Sequence, residues 1–149
     1  MFRAGLLSAG WFAAALALGV PAMAQTTTQL GRTKPHLIVI KLVEVPGSKM
    51  PFAFEPATFT AERGDTLQFV QFANTMHDVH FKTEPKGARL GAAATSPYLS
   101  NMGEKYTVTV DSRFGDGTYE IVCDPHEMIG MHAFLTVKGS TSAAASKTK

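Results

Sequence analysis

Residues 123 to 131 read Cys-Asp-Pro-His-Glu-Met-Ile-Gly-Met, with a thiol, an imidazole three residues on and a thioether five beyond that. Three such donors converge only if the stretch curls around a point, and Pro125 and Gly130 suit a curl. Soft sulfur donors combined with imidazole favour copper in both oxidation states, whereas a thioether disfavours zinc or a hard cation. Cys123 is the only cysteine. It forms no disulfide within the chain, so it is either a metal ligand or a buried, inert thiol. One more imidazole would complete a trigonal set, and His77 and His80 stand at the start of an extended segment. A period of two puts His77 on a face with Val79 and Phe81, and His80 on the other with Asp78 and Lys82. That parity selects His77 as the inward ligand and leaves His80 solvated. His36 precedes the first strand, and His132, directly after Met131, is expected to point away from it.

The elements that must position these donors are short β-branched and aromatic runs separated by turn residues every eight to twelve positions, which argues for a sandwich or barrel. Leu37 to Val45 makes a first strand, ended by PGSKMP; FAFEPATFTA is a second extended segment, and a turn at Arg63-Gly64-Asp65 precedes TLQFVQF. DVHFKT follows His77. The stretch from Glu84 to Gly103, rich in Gly, Ala, Ser and Pro, reads as a crossover loop with room for a helical turn. In KYTVTVD, Tyr106, Val108 and Val110 alternate with Lys105, Thr107 and Thr109, as in a sheet with one buried face. TYEIVC puts Tyr119, Ile121 and Cys123 on one face, and HAFLTV sets Leu135 and Val137 opposite Phe134 and Thr136. The count is seven or eight strands.

The ends and the charge bound what the domain can do. MFRAGLLSAGWFAAALALGVPAMA carries one early positive charge, an apolar run and small residues at Ala22 and Ala24. It reads as a secretory signal over residues 1–24, placing the domain in the periplasm or otherwise outside the cytoplasm; an uncleaved anchor would tether it there. The apolar run falls short of a spanning helix, so no stable membrane insertion is expected. Residues 25–35 and 140–149 lack apolar content and are expected to be a flexible segment and a disordered tail, flanking one domain over 36–139. Within that domain nine Lys and Arg stand against twelve Asp and Glu, which argues against a nucleic-acid partner.

FEPATFTAERGDTLQF, HDVHF and CDPHEMIGM, in this order and at these separations, make the chain resemble a type 1 (blue) copper protein of the cupredoxin family, nearest to its plastocyanin and pseudoazurin branch, from about Leu37 to Val137. The resemblance implies an all-β, seven- or eight-stranded Greek-key β-sandwich. It implies one copper ion, cycling between Cu(I) and Cu(II), with His77, Cys123 and His126 as strong ligands and Met131 as the long axial one. Met128 has no counterpart spacing and is assigned to the apolar surface. The expected function is that of a monomeric, soluble one-electron carrier and not an enzyme, since Met131 fills the fourth position. Redox partners would dock transiently on an apolar collar around His126, formed by Pro125, Met128, Ile129 and Gly130 with Met76 nearby.

Two departures from the family pattern stand out. Asp78 replaces the usual Asn after the first histidine, and Asp124 follows the cysteine, so two carboxylates are expected to repel near the site unless one is protonated or both share a donor. His132 after the axial methionine is also unusual. Multicopper oxidases and nitrite reductases place a histidine next to the cysteine as a wire to a second copper, whereas Cys123 is flanked by Val122 and Asp124. Periplasmic copper delivery is the alternative function, although the five methionines after residue 24 are scattered along the sequence.

Overall fold

A computed structural model of the chain describes residues 34–139. The signal expected at 1–24, most of the flexible segment and the tail at 140–149 lie outside the described residues; Lys34 and Pro35 are exposed and irregular. Eight strands follow one another: β1 (Leu37–Glu44), β2 (Phe52–Glu55), β3 (Thr58–Glu62), β4 (Thr66–Gln71), β5 (His80–Thr83), β6 (Lys105–Thr109), β7 (Gly117–Val122) and β8 (His132–Lys138). They form two four-stranded sheets of order β2-β1-β4-β6 and β3-β8-β7-β5, with β1 parallel to β4, β3 parallel to β8 and the remaining pairs antiparallel. This is an all-β sandwich of the expected class, with all eight strands present.

The second extended segment divides in two. Its halves join opposite sheets across Glu55-Pro56, because Pro56 donates no N–H and the chain there crosses from β1's edge to β8's. The crossover loop holds one 3-10 turn, Gly91–Ala94.

Inward positions follow the period of two. Ile40, Leu42, Leu67, Phe69 and Val108 of one sheet face Phe59, Phe81, Tyr119, Ile121 and Leu135 of the other, all buried. Phe69 sits at the centre, its ring 6.1 to 6.5 Å from those of Phe54, Phe59, Phe81 and Tyr106. Aromatic pairs at this separation add about 0.5–1.5 kcal/mol each beyond the area they bury. At the Phe114 turn the Tyr119 hydroxyl accepts from the Gly115 N–H at 2.7 Å and donates to the Gly115 carbonyl at 3.0 Å, pinning the start of β7.

Register then fixes which loops meet. Glu44 pairs with Phe52, Leu42 with Gln71, and Val122 with both His80 and His132. One end of the sandwich is therefore where β1, β4 and β7 finish and β2, β5 and β8 begin.

Candidate metal centre

Cys123 leaves β7 in an extended conformation and the chain turns at once into a 3-10 helix, Asp124–Ile129. Pro125 lies in its first turn, where a missing N–H costs nothing. Gly130 ends the helix at φ 93°, a left-handed value that favours glycine. The His126 N–H donates to the Cys123 carbonyl (2.9 Å), the Met131 N–H to the His126 carbonyl (3.2 Å) and the Cys123 N–H to the Met131 carbonyl (3.3 Å). Three residues that carry donor side chains are thus tied to one another through their main chains, and Cys123 and Met131 are fully buried.

His77 reaches the same place from an irregular segment between β4 and β5. The buried Gln71 amide donates to the carbonyls of Thr75 (2.8 Å) and Leu99 (2.7 Å), and its oxygen accepts from the Ala73 N–H (3.3 Å). One Glu44 oxygen accepts from the N–H groups of Asn74 and Thr75 and from the Thr75 hydroxyl, at 3.0 to 3.1 Å. His77 itself exchanges both main-chain hydrogen bonds with Leu99, at 3.2 and 2.7 Å. The ring is held with no solvent exposure.

The result is a triangle of donor atoms. His77 Nδ1 lies 3.5 Å from Cys123 Sγ, His126 Nδ1 lies 3.3 Å from the same sulfur, and the two nitrogens are 3.0 Å apart. A triangle with these edges has a circumradius of about 1.9 Å, just inside the ~2.0–2.3 Å at which imidazole nitrogen and thiolate sulfur hold a borderline-soft ion.

The electrostatics agree with that use. Burial, with repulsion from His126, pushes the His77 imidazolium down to about 4 against an opposing pull from Glu44. Burial also lowers His126. Both rings are neutral at pH 7 and offer lone pairs. Burial pushes the Cys123 thiol up to about 12, so only a cation at the triangle would convert it to the thiolate. This donor set fits copper.

The shell around the triangle was partly hidden in the sequence. Phe52 lays its ring against both histidines, at 5.1 Å from His77 and 4.3 Å from His126. A Cβ on Gly130 would come within 2.7 Å of the Met50 sulfur, so Met50 lies close over the ligand loop. Phe52, Met50, Gln71 and Glu44 were not anticipated; the apolar pair Met50 and Phe52 directly after the PGSK turn was the one available signal.

Three expectations about polar residues change. Asp78 was placed on the solvent face with His80 and Lys82, yet it is only 4% exposed. Residues 77–79 are not part of the pleated strand: Val79 bonds Ser96 through its N–H and carbonyl, and the Asp78 carboxylate turns inward to accept the Asp124 N–H at 2.8 Å. The Asp78 N–H points to the Cys123 sulfur. The expected conflict between carboxylates is met by separate partners, because the Asp78 carboxylate takes the Asp124 N–H while the Asp124 carboxylate turns outward to the His80 ring at 2.7 Å. His80, expected to be solvated, is half-buried in that contact. His132 also has partners, with Nδ1 3.0 Å from a Glu120 oxygen and Nε2 3.2 Å from the Glu127 carbonyl, and Glu127 pairs with Lys82. His80 and His132 thus strap the ligand loop to β5 and β7. Met128 is 94% exposed, on the surface.

The family model for copper binding proteins of the plastocyanin/azurin family matches residues 39–138. A plastocyanin of the alga Scenedesmus fuscus is 34% identical over 87 residues, 57% of this chain and 86% of the relative. The chloroplastic plastocyanin of Chlamydomonas reinhardtii is 31% identical over 132 residues, 87% of this chain and 79% of its own. Among solved structures, oxidised plastocyanin from Dryopteris crassirhizoma superposes with a TM-score of 0.55 at 28% identity, covering 67% of this chain and 99% of that one. A Sinorhizobium pseudoazurin gives 0.52 at 27% identity, covering 69% and 74%.

Proposed function

Because this chain belongs to the plastocyanin/azurin family of copper-binding proteins, we propose that it is a soluble one-electron carrier whose single copper is held by His77, Cys123, His126 and Met131. The observation that carries the ligand assignment is the donor triangle, with edges of 3.0 to 3.5 Å, closed on the Met131 side by main-chain bonds from Met131 to both Cys123 and His126. Copper bound there supplies a couple between Cu(I) and Cu(II).

The protein's own residues make that couple fast and confined. His77 is fixed by Gln71, Glu44 and Leu99, and the loop by β7, β8 and the His80 and His132 straps, so the donor atoms keep their places when the charge changes. Met131, fully buried at the end of the ligand loop, would fill the fourth position and leave no opening for substrate, which supports a carrier over an enzyme. Val122 and Asp124, which flank Cys123, offer no histidine wire to a second metal.

His126 is the half-buried ligand and therefore the port. Met128, Ile129, Met76 and Met50 are exposed on the loops that carry or cover the ligands, an apolar surface suited to brief contact with redox partners. We place the carrier, as a monomer, in the periplasm or another exported compartment, on the strength of the signal-like first residues. Among the described residues no helix is long and apolar enough to cross a membrane.

The test is the visible spectrum of the copper-loaded protein before and after ascorbate. An intense blue thiolate-to-Cu(II) band is expected, bleaching reversibly, lost in Cys123→Ser and kept in His80→Ala. A colourless protein that retains Cu(I) would favour delivery. Loss of colour in His80→Ala, with His77→Ala still blue, would overturn the ligand choice.

A further inference from the structure

Glu44 lies at the end of β1, 33 positions before His77 and outside every copper-ligand motif in the sequence. Its half-buried carboxylate is nonetheless built into the segment that delivers His77. One oxygen collects the N–H groups of Asn74 and Thr75 and the Thr75 hydroxyl, at 3.0, 3.1 and 3.1 Å. These three donors add to the hold that Gln71 already has on the Thr75 carbonyl. A second observation points the same way. His77 turns Nδ1 to the donor triangle, so the ring proton belongs on Nε2, and Nε2 is buried without a hydrogen-bond partner among the described residues. A histidine that ligates a metal ordinarily gives that proton to a carboxylate or carbonyl, which raises its basicity as a ligand. With no such direct partner, the ring depends on longer-range charge. Glu44, bonded to Asn74 and Thr75 just before His77, is the carboxylate placed to supply that charge, and it also lines the open pocket beside Phe52.

We propose that Glu44 is the outer-sphere positioning residue of the metal centre: its three-donor oxygen sets the path of residues 74–77, and its fixed negative charge biases the bound ion toward the higher oxidation state. The inference rests on the copper reading given above. A negative charge beside His77 favours Cu(II) over Cu(I), so the native potential is lower than the four ligands alone would give. Asp124 is paired with His80 and Glu127 with Lys82, while Asp78, which accepts the Asp124 N–H, adds its charge on the sulfur side, so Glu44 is the carboxylate on the His77 side.

The experiment compares wild type, Glu44→Gln and Glu44→Ala by two readouts, the midpoint potential of the copper-loaded protein and amide hydrogen exchange of Asn74 and Thr75 in the metal-free protein. Glu44→Gln keeps an acceptor oxygen and loses the charge. Exchange at Asn74 and Thr75 should stay within about threefold of wild type, while the ratio of Cu(II) to Cu(I) affinity falls about threefold, a rise of about 30 mV at 59 mV per tenfold. The rise should shrink as salt screens the wild-type charge. Glu44→Ala loses both functions, so exchange should quicken at least tenfold and the potential should rise as well. An unmoved potential in Glu44→Gln overturns the proposal, whatever Glu44→Ala does to exchange, because Glu44 would then be a tether alone. Unchanged exchange in Glu44→Ala overturns the positioning half. A wild-type protein without the reversible band would remove the copper reading itself, and this inference with it.

Discussion

Replacing Asp78 by Asn restores the side chain that the family ordinarily places after its first histidine, and the structure says what should follow. The Asp78 oxygen that accepts the Asp124 N–H at 2.8 Å has an equivalent in Asn, so the tie between the His77 segment and the cysteine loop survives. What is lost is the charge of a buried carboxylate beside Cys123, which adds to burial in holding the thiol up. At roughly 4 Å and an effective dielectric of about 20, two unit charges interact by about 4 kcal/mol. If the one-electron change is shared over three strong donors, about a third of it falls on sulfur, or about 1.3 kcal/mol. That is close to one decade in relative affinity, and at 59 mV per decade the potential of Asp78→Asn should rise by about 60 mV. The assay is a spectroelectrochemical titration of wild type and variant in the same buffer, with the metal-free melting temperature measured alongside. A rise with little change in melting is the expected pair. An unchanged potential with the band intact would refute the claim that Asp78 acts on the sulfur through its charge, and a large drop in melting would show that the Asn does not keep the bond to Asp124.

Three further outcomes follow from named contacts. His132→Phe removes the links to Glu120 and to the Glu127 carbonyl, and should cost about 1–2 kcal/mol in urea unfolding of the metal-free protein, with the Met131 N–H exchanging faster; unchanged stability would mean the strap carries no tension. Burial pushes the Asp65 carboxyl up, but the N–H groups of Glu62 and His36 outweigh it and hold its pKa below the ordinary 3.8. A depressed folded-state pKa stabilises the fold above 3.8 and loses that contribution as pH falls through the folded value, so Asp65→Asn should be less stable than wild type at pH 7 and converge with it below pH 3.8, read as melting temperature against pH. Gly130→Ala meets the Met50 sulfur and forces a left-handed φ on alanine, costing about 1–2 kcal/mol; adding Met50→Ala should recover only the contact share, and full recovery would show that the backbone is not strained.

Legibility in the sequence tracks how local each feature is. The alternation through Tyr106, Val108 and Val110 has one exposed and one buried face because a half-buried strand dictates both at once. The Cys123 to Met131 stretch is likewise local: a proline early and a glycine late in nine residues force the curl that the 3-10 helix makes. Parity argued for His77, yet residues 77–79 are an irregular segment whose main chain bonds to Leu99 and Ser96, so the same parity misplaced Asp78. Glu44 and Gln71 were invisible because their roles depend on which strands end side by side, a matter of sheet order set by distant pairings. The carboxylate conflict between Asp78 and Asp124 could be posed from the sequence but not resolved, since it needed His80 to turn Asp124 outward.

On the proposed reading, four fixed side chains hold one copper in a geometry that does not change with its charge. X-ray absorption at the copper edge, recorded on the oxidised and the reduced protein, addresses it most directly. Two nitrogens at ~2.0 Å and one sulfur at ~2.2–2.3 Å are expected in both states, in line with the ~1.9 Å radius of the donor triangle. Absence of the short sulfur shell, or a light-atom ligand gained or lost between the two states, would contradict it.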